Sequence, residues 1–278
     1  MTRNSQSSLL FLLPLTFALA ACAENTEDET TGGETTESGD SGDGDSGDGD
    51  GDGAAAELKV RGEFTDNWDV AHVISSTEWT VGSDSYSISA FDNQGEFVVA
   101  QNGSENAYDP GMWSRFDLAF VGNALYYCQT GYAEESEQAA MELERSDDSD
   151  PATTGCGGEF AWSQLSDDYL EWQGSWTDEW KQAYAVASDS VSVGTSTFAV
   201  AQYDSSADFL VAQNGSANEY NPDLWSRFDW TYVGNDLYVC QSAYDAADEQ
   251  SAVDAPAADA SDPANSGCGG DFAWSKLN

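Results

Sequence analysis

The residues of this chain whose types and spacing could do chemistry are few: five cysteines, one histidine and two copies of Trp-Ser-Arg-Phe-Asp. Four of the cysteines recur as two pairs, Cys128 with Cys156 and Cys240 with Cys268, each 28 positions apart. Paired thiols either hold a metal or form a disulfide. Zinc lacks its remaining ligands, because the single histidine, His72, is answered by Tyr184 in the second copy of the repeat. For the same reason His72 is a poor catalytic candidate. No metal and no cofactor is expected.

The two pentapeptides, Trp113 to Asp117 and Trp225 to Asp229, suggest a binding face. On a strand, Trp113, Arg115 and Asp117 share one side, and Ser114, Phe116, Leu118 and Phe120 share the other, which reads as core. Arg115 and Arg227 are the basic residues placed identically in both copies. With Trp113 or Trp225 as a stacking platform and Asp117 or Asp229 beside the guanidinium, the patch is equipped for a sugar or a peptide. The competing reading is an ion pair that seals one end of a barrel beneath the indole. Gln101, Gln129, Gln213 and Gln241 are polar strand residues, open to a pocket or to structural hydrogen bonds. Asn102-Gly103 and Asn214-Gly215 suggest tight hairpins. No catalytic residue is assigned: the chain has neither Gly-x-Ser-x-Gly nor His-Glu-x-x-His. A hydrolase with paired carboxylates is the alternative, and Asp66 and Asp117 are the pair that stands out.

The elements that must position these residues are written twice. Residues 58–165 and 170–277 align without a gap, with roughly half of the paired positions identical. Each copy suffices for one small core. Alternating apolar residues in short runs, punctuated by Gly, Asn and Asp, predict seven or eight strands per copy: 58–64, 70–75, 78–81, 85–91, 96–101, 113–121, 124–129 and 160–165. The fold class is therefore mainly β, two tandem antiparallel β-barrel or β-sandwich modules. Within each cysteine loop, Glu134 to Arg145 and Asp245 to Val253 predict a short helix. The connector 166–169 is short enough that the copies should dock.

Ahead of the repeats lie an apolar run from Leu9 to Ala21, Cys22, and an acidic stretch rich in Gly and Ser. The run is a secretory leader, too short for a mature membrane span. Leu19-Ala20-Ala21-Cys22 resembles the lipobox of bacterial lipoproteins, and Ala-Gln-Asn, Trp-Ser-Arg-Phe-Asp, Tyr-Cys-Gln and Gly-Cys-Gly-Gly resemble repeats of predicted bacterial lipoproteins that carry no assigned activity. The resemblance implies lipidation at Cys22, a membrane anchored through it, and, since Ala23 follows, an outer-membrane or surface location in the cell envelope. In an exported chain the four repeated cysteines read as two disulfides, one per copy. The domains are then 1–21 leader, 22–57 lipidated Cys22 and acidic linker, 58–165 first module and 166–278 second. Asp48 to Gly53 copies the start of an EF-hand loop, but Lys59 stands at its twelfth position. With 51 acidic against 8 basic residues, nucleic acid is disfavoured as a partner, and a polysaccharide or envelope protein is the expected one.

Overall fold

The computed structural model describes residues 56–278; the leader, Cys22 and nearly all of the acidic stretch lie outside the described residues. The first copy contains β1 Gly62–Thr65, β2 Ala71–Ile74, β3 Glu78–Val81, β4 Asp84–Asp92, β5 Phe97–Asn102, β6 Trp113–Val121, β7 Ala124–Glu134, α1 Glu137–Met141 and β8 Ser163–Ser166. The second contains β9 Gly174–Thr177, β10 Ala183–Ala187, β11 Ser190–Val193, β12 Ser196–Asp204, β13 Phe209–Asn214, β14 Trp225–Val233, β15 Asp236–Ala246, α2 Glu249–Val253 and β16 Ser275–Leu277. Each copy is an eight-stranded antiparallel meander in sequence order. Its two edges nearly meet: Thr177 and Asn278 exchange backbone hydrogen bonds of 2.9 Å, and Asn67 N–H donates to the Gln164 carbonyl at 3.0 Å. The modules are therefore barrel-like rather than sandwiches. Eight strands leave an interior that side chains alone can fill.

The two barrels fill that interior differently on one backbone. In the first, Trp79 from β3 stacks on Phe116, centroids 4.6 Å apart. In the second, Val191 takes the place of Trp79, and indoles enter instead at Trp172 and Trp230, 5.9 Å apart. This trade explains His72. The buried Trp79 Nε1–H donates to His72 Nδ1 at 3.1 Å, and His72 Nε2 lies 3.2 Å from Asp66 Oδ2. Accepting at Nδ1 and donating at Nε2 fixes a neutral imidazole. The second copy has no indole at that place and uses Tyr184, whose hydroxyl donates to Asp178 Oδ2. Burial lowers the His72 pKa against the pull of Asp66. The unfolded chain thus takes up the proton first, and this contribution to stability is lost as pH falls below about 6.5. His72→Phe should orphan both partners and cost about 2 kcal/mol at pH 7.5. It should also flatten the loss of stability between pH 6.5 and 5 in urea titrations.

A second layer covers the outer faces of β6 and β7. Disulfides Cys128–Cys156 and Cys240–Cys268 tie a long excursion back onto the strands. Beneath it Ala119, Tyr126, Cys128 and Trp162 form a separate small core. Burial on both faces is why β6 is apolar or paired along nearly its whole length. The helices are shorter than expected. β7 continues to Glu134, paired with Trp113 of β6, and β15 continues to Ala246, paired with Trp225. Strand pairing overrides the local preference of this Ala- and Glu-rich segment, leaving one helical turn capped by Ser136 or Asp248.

The copies meet around a pseudo-two-fold relation. In one direction Gln94 N–H donates to the Gly234 carbonyl at 3.1 Å, and Asn93 N–H to Asn235 Oδ1 at 2.8 Å. In the other, Ser206 N–H donates to the Gly122 carbonyl and Ser205 N–H to Asn123 Oδ1, each at 3.1 Å. Each partner is the counterpart of the first set. Near this contact Lys59 pairs with Glu171, its own counterpart in the repeat. Identical residues there would place like charges together, so the copies had to diverge at this position. Glu171 Oε2 also accepts from Trp230 Nε1–H at 3.0 Å, and Lys59 Nζ donates to Glu96 at 2.9 Å.

Candidate binding site

The Trp-Ser-Arg-Phe-Asp segments do not form an open groove. Arg115 Nε–H donates to Asp117 Oδ1 at 2.8 Å, its Nη1 donates to the Met141 carbonyl at the end of α1, and its guanidinium lies 4.1 Å from the Phe97 ring centroid. Asp117 Oδ2 accepts from Thr130 Oγ1–H and from Ser146 N–H. Arg227 and Asp229 repeat the arrangement against Val253 and Ala258. Both pairs are buried and hold the disulfide excursion to the barrel. Trp113 and Trp225 are half-buried at the start of their strands. Asp66 is likewise occupied, accepting from Trp68 N–H and Val70 N–H and facing His72. Neither nominated carboxylate is free for catalysis.

A carboxyl cluster does occur where the copies meet. Lys59, Glu96, Glu171 and Asp208 line a cleft of about 280 Å³ there. Burial, then the Glu171 charge, push the Asp208 carboxyl up to about 8, against the opposing pull of Lys59. Glu171 is already held by Lys59 and by Trp230 Nε1–H, so neither carboxyl stands free over open space as a glycosidase pair does.

The opposite end of each barrel is different. The copies touch through the β4–β5 and β6–β7 turns and their counterparts, so the β5–β6 loop and the end of β7 lie away from the contact. That far end carries large aromatics exposed in both copies, Tyr108 and Tyr220 in the loop and Tyr132 and Tyr244 near the strand end; Trp68 and Trp180 in the β1–β2 and β9–β10 turns and Phe160 and Phe272 on the disulfide excursions are exposed as well, all between 53% and 81%. A barrel gains nothing from exposed rings, so their reappearance in both copies asks for a reason outside the fold.

The rings stand on a rigid frame. Asn214 at the end of β13 donates through Nδ2 to the Asn221 carbonyl at 2.8 Å and the Tyr244 carbonyl at 3.0 Å, and its Oδ1 accepts from Ser226 Oγ–H at 2.6 Å. Asn218 bonds both backbone groups of Thr197 at 2.9 Å. Asn102 and Asn106 make the same bonds in the first copy. The expected Asn-Gly hairpins are therefore absent: the asparagine side chains pin a longer loop, with positive φ at Asp109 and Gly111 or Asn221 and Asp223 instead. Gly103 and Gly215 serve close approach, since a Cβ would come within 2.4 Å of Ser85 Oγ or Thr197 Oγ1.

In the second copy this frame encloses a pocket of about 310 Å³ lined by Ser196, Phe198, Asn214, Asn218, Tyr220, Asn221, Gln241 and Tyr244. Comparison with known proteins finds no match: no family model, no curated protein and no solved structure matches the chain. The lining carries no charged side chain, on a protein of net charge −43. Gln241 lines the pocket with its amide held in place, Nε2–H donating to Ser226 Oγ at 2.9 Å. Gln241 was one of four glutamines open to either role in the sequence. The tyrosines were missed there, though identical aromatics at matching loop positions of two half-diverged copies were a usable signal.

Proposed function

We propose that this chain is a non-catalytic envelope protein that binds neutral, hydroxyl-rich ligands, sugars foremost, at the far end of its barrels, and is displayed from a membrane by lipidated Cys22. One observation carries the reading: exposed tyrosines repeat in both copies over the same buried amide frame. A tyrosine offers an apolar face to a pyranose ring and a hydroxyl to its substituents, and fixed amides supply the directional bonds. The uncharged lining suits a neutral ligand, because a cation would be drawn elsewhere on this acidic surface and an anion repelled by it. Two modules on one chain make the protein bivalent, so a polymer could engage both ends and gain avidity.

The test is a glycan and peptidoglycan-fragment binding screen with the mature chain, repeated with Tyr220→Ala and Tyr244→Ala. Each substitution removes a ring that the fold does not need, so melting temperatures should stay within about 2 °C while affinity falls about tenfold. Equal binding by all three proteins would sink the reading.

A further inference from the structure

The two far ends share their rims but not their floors. Tyr86 and Phe198 occupy the same place, each meeting the phenylalanine of the Trp-Ser-Arg-Phe-Asp strand edge-on: Tyr86 to Phe116 at 5.0 Å and 82°, Phe198 to Phe228 at 5.1 Å and 81°. The rings superpose, so the difference is one hydroxyl. In the first copy that hydroxyl lies beside Gln129, the counterpart of Gln241, which keeps the same bond to its serine, Nε2–H to Ser114 Oγ at 3.0 Å. In the second copy no phenol is present and the space is part of the pocket, with Phe198 and Gln241 both in its lining. Two further differences point the same way. Asp84 and Asp109 of the first copy are replaced by Ser196 and Asn221, which removes both carboxylates from the second.

We propose that residue 198, Phe in the second copy where the first has Tyr86, is the specificity-determining position of the chain, admitting a neutral sugar ring down to the Gln241 amide at one end and closing that depth at the other. This rests on the sugar-binding reading above. A hydroxyl in place of the Phe198 ring hydrogen takes up space on the floor beside Gln241, so an incoming ring loses depth and meets a polar group already there. The first copy keeps its tyrosine rim for shallow contact, where Asp84 and Asp109 offer charged acceptors in place of the uncharged Ser196 and Asn221.

The experiment uses the full mature chain and three neutral tetrasaccharides, chitotetraose, cellotetraose and maltotetraose, with side-chain amide signals of Gln129 and Gln241 followed by nuclear magnetic resonance. At least one sugar should shift Gln241 saturably in the parent protein, with Gln129 at least tenfold less responsive. Phe198→Tyr, which the first copy shows to be compatible with the fold, should weaken the Gln241 response at least tenfold. Tyr86→Phe combined with Asp84→Ser and Asp109→Asn should bring out a response at Gln129. A Phe198→Tyr protein that binds as the parent does, a parent in which both glutamines respond alike, or a triple variant silent at Gln129 overturns the assignment while leaving sugar binding intact. Silence of both glutamines with every sugar overturns the sugar reading and this inference together.

Discussion

Arg115→Met should lower the unfolding free energy by about 3 to 5 kcal/mol. Methionine keeps most of the aliphatic volume, so the loss isolates the guanidinium. What remains is Asp117, fully buried, with Thr130 Oγ1–H and Ser146 N–H still donating to Oδ2 but Oδ1 unpaired. The Met141 carbonyl at the end of α1 also loses its donor. The cost is that of stranding a buried carboxylate, and exceeds what the pair contributes over an apolar substitute. Arg115→Met with Asp117→Leu should recover only part of it, because Ser146 N–H then lacks an acceptor. Urea unfolding followed by tryptophan fluorescence measures both. A single-variant loss below 1 kcal/mol would show that the excursion is held by its disulfide alone.

Asp208→Asn should stabilise the protein, by on the order of 3 kcal/mol at pH 8 and by almost nothing near pH 4. The sign follows from the raised carboxyl. In the unfolded chain Asp208 ionises near 3.8, whereas in the fold burial and Glu171 hold its proton to about pH 8. Between those values the folded protein carries a proton the unfolded chain has lost. Stability therefore falls as pH rises through this window and levels off above it. Asparagine carries no charge to bury beside Glu171, so the variant loses the slope. Parallel urea midpoints from pH 4 to pH 9 test this. Curves that stay parallel would mean that Asp208 is ionised beside Glu171, with Lys59 and Glu96 absorbing the change. His72 acts in the opposite sense below pH 6.5, inside the same window, so the two slopes oppose one another there and the Asp208 slope stands alone between about pH 6.5 and 8.

Much of the architecture was legible because it is written in short-range terms. The run 113–121 matches β6 at both ends and 78–81 matches β3, since alternation and turn residues are local signals. Cys128, Cys156, Cys240 and Cys268 pair as the repeat suggested. Where the reading slipped, a distant partner had outweighed a local preference. The helix expected from Glu134 lost its start to β6, and Asn102-Gly103 turned from a hairpin signal into a loop anchor because the Asn102 amide finds the Asp109 and Tyr132 carbonyls. The Arg115 and Asp117 side chains were placed correctly on one face, but whether that face meets solvent or another layer of the same chain depends on the excursion 135–162 folding back over it.

By itself the sequence determined the duplication, the strand-rich antiparallel fold class, one cystine per copy and a strongly acidic chain, all of which depend on residue order and composition. Only the tertiary structure decided that the copies form nearly closed barrels meeting about a pseudo-two-fold relation, that Trp-Ser-Arg-Phe-Asp braces a second layer, and that Tyr220 and Tyr244 frame a neutral pocket. Exposure, and the pairing of buried charges, are properties of the whole packed chain: a tyrosine or an arginine has the same letter whether water or a neighbouring strand lies against it.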